Sequence, residues 1–256
     1  MCTRIFVIIC ICAVLFGCAN DSGKQPLWKT DKILRVGTDA TYPPFEMVNT
    51  QTGSPEGFDI DIMDAICRIN GWKPEYIVTP FDGIISGLKS GKYDCIISAM
   101  SITPQREAIV TFTRPYYMAG QIIAVPRDDT SITSVENLRG KRVGVQLGTT
   151  GERMAKSLPG VSVFSFDNIG AAFIDMENGK IDAVLNDLPT TLEYIRLKGT
   201  AKTVGELLSK EHYGIAVRIK DYELAARLDS ALNKIEDTGE YNRIKARWFP
   251  APEPGR

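Results

Sequence analysis

The sequence predicts an α/β protein of two lobes, each a mostly parallel sheet flanked by helices, with a two-segment hinge between them. Three observations predict it. From Ile33 onward short β-rich runs alternate with apolar-periodic helical segments, the pattern of a parallel sheet covered by helices on both faces. A helix-to-strand turn occurs twice: Gly91-Lys92-Tyr93-Asp94 precedes the apolar run 95–97, and Gly179-Lys180-Ile181-Asp182 precedes the run 183–185. Such an echo suggests two copies of one arrangement, although two common helix-to-strand turns can also coincide. Finally, the extended segments 117–126 and 213–218 fall where the pattern passes from one copy to the other. Two antiparallel crossings there would return the chain to its first lobe.

Taken in order, Ile33-Leu34-Arg35-Val36-Gly37-Thr38 alternates as a first strand, and Asp39 lies just past its end. Pro43-Pro44 stops regular structure, and Thr52-Gly53-Ser54-Pro55 reads as the turn of a hairpin-like excursion. Ile62, Ala65, Ile66 and Ile69 recur at helical spacing until Asn70-Gly71 ends the element. A strand over 72–78 follows, then Phe81, then a helix through Ile84, Ile85 and Leu88 that closes at Ser90-Gly91. The register of the echo sets Ser98 against Asn186. Near the end, Leu224, Leu228, Ala231, Leu232 and Ile235 mark one helix, and Tyr241, Ile244 and Trp248 a last one packed on its parent lobe. The expected division is 31–120 with 216–256 for lobe 1 and 121–215 for lobe 2.

The chain has 256 residues and a formal charge of −1 with no basic stripe, so nothing argues for a nucleic-acid partner. Its start is different material. Residues 5–16 are almost wholly apolar behind the single cation Arg4, too short to span a bilayer well and suited to the core of a secretory signal. Leu15-Phe16-Gly17-Cys18 resembles a lipobox, which implies a signal peptide over 1–17 and diacylation of Cys18; a plain signal cut a few residues later is the alternative. Residues 18–30 read as a polar tether, and the localisation expected is the periplasm or outer face of the cell membrane, lipid-anchored. Of six cysteines only Cys67 and Cys95 then remain in the folded part, expected as free buried thiols, with a bridge between them permitted by the compartment. One His and no Cys/His spacing give no metal site, and no cofactor is expected.

The chemistry concentrates after the first copy's third strand. Ser98 and Ser101 supply hydroxyls, Thr103-Pro104 starts a helix, and Arg106 sits in its first turn. A guanidinium, hydroxyls and free backbone N–H groups at a strand's carboxyl end suit a small carboxylate; a surface arginine on a helix start is the plainer alternative.

This stretch resembles the ligand-binding segment of the periplasmic polar amino-acid-binding proteins, the solute-binding subunits of ABC importers, bacterial extracellular solute-binding family 3. Three more segments resemble that family's signatures: Gly37-Thr38-Asp39-Ala40-Thr41-Tyr42-Pro43-Pro44-Phe45-Glu46, Gly57-Phe58-Asp59-Ile60-Asp61 and Gly144-Val145-Gln146-Leu147-Gly148-Thr149-Thr150-Gly151. The resemblance runs from about Ile33 to Phe249 in family order and implies the two-lobed Venus-flytrap fold. It implies that Arg106 clamps an α-carboxylate, assisted by Ser98, Ala99, Ser101, Thr149 and Thr150. It further implies that Asp187 accepts from the α-ammonium; without the family, Asp187 could be an exposed loop carboxylate. Specificity would lie in Asp39, Tyr42, Phe81 and Gln146, with Tyr42 and Phe81 sandwiching the ligand's side chain. Asp39 suits arginine, lysine, ornithine or histidine, yet glutamine binders of the family carry an Asp there too. Their loop lysine is Gln146 here and their histidine before the Asp is Asn186, departures that lean toward a cation. A zwitterion between the lobes pairs both buried charges, which makes the closed state favourable.

The partners so implied are a free L-amino acid, an ABC permease and the membrane through the lipid anchor, with the protein a monomer. The enzymatic alternative is a periplasmic prephenate or arogenate dehydratase of similar fold, but nothing in the spacing of Glu46 or Glu152 marks a general acid. Ser-His-Asp chemistry would need His212, expected at the hinge, and Gly148-Thr149-Thr150-Gly151 lacks the Lys-Ser/Thr of a phosphate loop. A sensory input domain is a third possibility and would need a separate membrane partner.

Overall fold

The computed structural model describes residues 32–249. The expected signal segment, Cys18, the tether and the last seven residues lie outside the described residues. The first strand β1 (Ile33–Thr38) leads into a small antiparallel excursion, β2 (Thr41–Tyr42), β3 (Glu46–Val48) and β4 (Pro55–Glu56). Helix α1 (Phe58–Asn70) buries Ile62, Ala65 and Ile66 and ends in a left-handed Gly71 at φ 69°, a conformation that costs glycine little. Then come β5 (Lys73–Val78), α2 (Phe81–Lys89), β6 (Cys95–Ile96), α3 (Pro104–Glu107), β7 (Val110–Phe112) and β8 (Tyr117–Ala119). Phe81, expected ahead of its helix, is the first residue of α2, because Pro80 stands as the N-cap.

Beyond Gly120 the pattern starts again: β9 (Gln121–Pro126), a 3₁₀ turn (Val135–Leu138), β10 (Arg142–Gln146), α4 (Thr150–Ser157), β11 (Ser162–Phe166), α5 (Ile169–Glu177), β12 (Ala183–Asp187), α6 (Leu188–Lys198) and β13 (Ala201–Val204). The chain closes with β14 (Glu211–Tyr213), β15 (Ala216–Arg218), α7 (Tyr222–Asp237) and α8 (Glu240–Trp248). Leu224, Leu228, Ala231, Leu232 and Ile235 of α7 are buried, as the periodicity predicts.

Two five-stranded sheets result, ordered β5-β1-β6-β15-β7 and β11-β10-β12-β9-β13. In each, three parallel strands are followed by one antiparallel strand, and that reversed strand is the one arriving through the hinge. The fourth position is reversed because β9 and β15 enter their sheets from the opposite end. Between the sheets β8 and β14 pair antiparallel, Tyr117 opposite Tyr213, and His212 lies there.

The internal echo has a structural cause. Asp94 accepts from the backbone N–H, Nε and Nη2 of Arg35 on β1, the last at 2.9 Å; Asp182 accepts from the same three groups of Arg142 on β10, the last at 2.7 Å. Each Gly-Lys-x-Asp turn thus pins its strand to the lobe's first strand with a bidentate ion pair. Cys67 and Cys95 are buried and free.

Candidate functional site

Strand ends meet at the cleft. Asp39 follows β1, Ser98 to Ser101 follow β6, Gln146 ends β10 and Asp187 ends β12, so the carboxyl ends of parallel strands from both sheets converge. Asp39, Tyr42, Phe81, Ser98, Ala99, Ser101, Arg106, Gln146, Thr149, Thr150 and Asp187 line one cavity, joined by Glu46. All eleven residues expected at the site are therefore brought together.

Arg106 stands in the first turn of α3, where the Thr103 hydroxyl accepts from its N–H at 3.3 Å. Its guanidinium is buried, donating to the carbonyl of Ser101 at 2.7 Å and, across the cleft, to that of Gly148 at 3.1 Å. The ring of Phe81 lies 5.2 Å from its Cζ, so Phe81 supports the guanidinium rather than only facing a ligand. Burial lowers the Arg106 pKa to about 10, helped by Arg153 and opposed by Glu211 and Asp187. An anion in the cleft would restore what burial removes.

Asp187 lies on the opposite lobe, 6% exposed. Its carboxylate accepts from the hydroxyls of Tyr42 at 2.8 Å and Tyr213 at 2.6 Å, and from the Gln121 amide. Burial, then Glu211, raise its pKa to about 6 against the pull of the two phenols and Arg106. The pair that the reading of the sequence rests on, positions 106 and 187, does face one cleft. Both groups are nonetheless held by partners within the chain, so closure does not leave either charge bare.

At the far end, Asp39 accepts from Thr41 at 2.6 Å and from the Gln146 amide of the other lobe at 3.0 Å. Burial raises its pKa above the ordinary carboxylate range, and Asp82 adds to the rise. The Tyr42 hydroxyl is shared between Asp187 and the Asn186 amide oxygen, the latter at 2.7 Å, a further tie between the lobes. Thr149 caps α4 by accepting from Glu152 N–H at 3.1 Å, which leaves the Thr150 hydroxyl turned to Glu211 at 2.7 Å.

Sequence reasoning missed the hinge's contribution. Glu211 accepts from Ser101, Thr150, Ser209 and Gln121, and Tyr213 and Gln121 reach Asp187, all from strands that alternate without any signature of their own. Only their position beside the crossing could have pointed to them. Of the two rival carboxyls, Glu152 binds Lys156 at 2.8 Å and the Gly148 N–H at 2.9 Å, while Glu46 lines the cavity and accepts from Ser98 at 2.7 Å. Among the described residues no group of His, Cys, Asp and Glu is arranged to hold a metal, and no helix is long and apolar enough to cross a membrane.

A buried arginine and a buried aspartate on opposite walls of a cleft, each wall carried by its own sheet, define a two-lobed receptor for a small polar molecule. The profile of the bacterial extracellular solute-binding proteins, family 3, matches residues 34–251, and the chain belongs to that family. It is 35% identical over 223 residues to ABC transporter arginine-binding protein 1 of Escherichia coli K12, covering 85% of this chain and 90% of that protein. Among solved structures it is similar to an ancestral arginine-binding protein bound to glutamine, with a TM-score of 0.83 and 43% identity over 87% of this chain and 100% of that one. It is also similar to the ancestral amino acid-binding protein AncCDT-1, described as a precursor of cyclohexadienyl dehydratase, with a TM-score of 0.80 and 38% identity over 85% of this chain and 95% of that one.

Proposed function

We propose that the chain is the substrate-binding lipoprotein of an ABC importer, closing on an L-amino acid with a cationic side chain and delivering it to the permease. The observation that carries this reading is the opposition of Arg106 and Asp187 across a cleft whose far end holds the buried carboxyl of Asp39. In it, Arg106 with Ser98, Ala99, Ser101, Thr149 and Thr150 takes the α-carboxylate, and Asp187 exchanges its phenol partners for the α-ammonium. Tyr42, Phe81, Asp39 and Gln146 take the side chain. Lobe 1 (31–120 and 216–256) and lobe 2 (121–215) move about the β8–β14 pair. The lipobox at Cys18 supports anchoring at the outer face of the cell membrane, in the periplasm, with the protein acting as a monomer.

Calorimetry with arginine, lysine, ornithine, histidine, glutamine and glutamate tests the ligand class. Arginine, lysine or ornithine binding at least about tenfold tighter than glutamine supports the cationic reading, because an unmatched buried carboxylate would set the difference. Glutamine winning would move the assignment to a polar amino-acid binder, a reading that the Gln146 amide on Asp39 and the glutamine-bound relative favour. Catalysis is the third alternative. Incubation with prephenate or arogenate should yield no product, and turnover would make the chain a dehydratase.

A further inference from the structure

Glu46 and Asp59 are both buried, at 1% and 0% exposure, and neither is in an ion pair among the described residues. One oxygen of each is occupied. Glu46 Oε1 accepts from the Ser98 hydroxyl at 2.7 Å, and Asp59 Oδ2 accepts from the Ala99 N–H and the Tyr116 hydroxyl, both at 2.8 Å. The other oxygens, Glu46 Oε2 and Asp59 Oδ1, have no hydrogen-bond partner, and the Asp59 N–H donates to the carbonyl of Phe45 at 2.8 Å, which brings the two side chains to the same buried spot. Two neighbouring buried carboxylates without a cation are not both readily ionised, whereas one proton between them would satisfy both orphaned oxygens.

We propose that Glu46 and Asp59 share a single proton, and that this carboxyl–carboxylate bond is the positioning device that holds the Ser98–Ala99 turn facing the ligand. The inference rests on the amino-acid reading for what the turn does, not for the existence of the bond. Ala99 is held at φ 42°, a left-handed conformation costly for alanine, and its N–H is fixed by Asp59. Ser98 passes the restraint on, since its hydroxyl oxygen accepts from the Asp39 N–H at 3.1 Å while its hydrogen goes to Glu46.

The three signature segments of lobe 1 thereby become one mechanical unit. The Phe58 and Asp59 N–H groups donate to the carbonyls of Pro44 and Phe45 at 2.9 and 2.8 Å, which lays the first turn of α1 against Glu46. Gly57 at φ 140° permits it; a Cβ there would stand 2.1 Å from the Phe45 carbonyl oxygen. The groups acting on the pair from the surrounding elements are Asp39 beyond β1, Tyr42 of β2, Tyr116 before β8 and Tyr241 of α8, all anionic or neutral acids. Burial raises both carboxyls, Asp59 to about 6 and Glu46 well above the ordinary range, and the charge of Asp59 lifts Glu46 further.

Infrared spectroscopy without amino acid tests the proton directly. At about pH 8, where ordinary carboxyls are ionised, the wild type should show a protonated-carboxyl stretch that disappears in both Glu46→Gln and Asp59→Asn. Its absence from the wild type, or its persistence in both variants, overturns the proposal and leaves the amino-acid reading untouched. Calorimetry with L-arginine tests the positioning. Asp59→Ala, which leaves the Ala99 N–H and Glu46 unpartnered, should weaken binding about tenfold or more, while Asp59→Asn, whose amide replaces the shared proton, should stay within about threefold. Should Asp59→Ala fail to fold, Asp59→Asn decides alone, and a tenfold loss in it contradicts the positioning role. Failure of the wild type to bind arginine would count against the ligand assignment only, since the infrared result stands without it.

Discussion

Replacing Arg106 with Ala removes the only guanidinium lining the described cleft, and the size of the effect follows from its surroundings. The guanidinium is buried at 8% exposure, so a bound carboxylate would meet it in a nearly water-free setting and would be left unpaired by the substitution. Breaking a buried ion pair from one side costs about 3–5 kcal/mol, roughly two to three and a half orders of magnitude in Kd. The protein without ligand responds differently. Burial already disfavours the Arg106 charge, lowering its pKa to about 10, and its two donors meet only backbone carbonyls. Thermal unfolding of Arg106→Ala should therefore show a change of about 1 kcal/mol or less while calorimetry shows binding lost. Arg106→Lys keeps the charge but not the fork, and should recover only part of the affinity. Arginine affinity within threefold of wild type in the Ala variant would refute the role given to this residue.

Asp187 predicts a pH dependence. Its pKa is raised to about 6, so its proton is held above the unfolded value and must leave before it can accept an ammonium; affinity should fall about tenfold between about pH 7 and pH 5, and a flat profile would contradict this. The same sign makes ionising Asp187 between about pH 4 and 6 costly to the folded protein in the absence of ligand, a fall in Tm that Asp187→Asn should remove. Asp39→Asn should weaken arginine and lysine by about tenfold while leaving glutamine nearly unchanged, read by competition calorimetry. Gly57→Ala should lower stability by about 2 kcal/mol or more in denaturant titrations, because its Cβ would drive the first turn of α1 away from Phe45.

Much of this architecture was legible before any coordinates. The alternation of short strands with amphipathic helices, the repeated Gly-Lys-x-Asp turns and the two hinge segments all reappear, since each rests on local chemistry: periodic burial, left-handed glycine and extended runs. The bidentate pairs Arg35–Asp94 and Arg142–Asp182 explain the repeated aspartate, but their partners lie 59 and 40 residues away, a separation that no local pattern reports. For the same reason Gln121, Glu211 and Tyr213 escaped notice, as their side chains matter only because β8 and β14 cross beside the cleft. Glu46 and Asp59 were visible as signature residues, while their proximity depends on how the first turn of α1 docks on Pro44 and Phe45. Phe81 was expected to face a ligand, and the chain itself supplies its cation in Arg106.

The central claim is that the cleft recognises a zwitterion through Arg106 on one wall and Asp187 on the other. Side-by-side calorimetry of L-arginine and agmatine, which keeps the guanidinium and loses the carboxylate, tests it most directly. Tight arginine binding with agmatine weaker by about two orders of magnitude is the expected result. Equal affinity for the two would mean that the carboxylate is not what Arg106 holds.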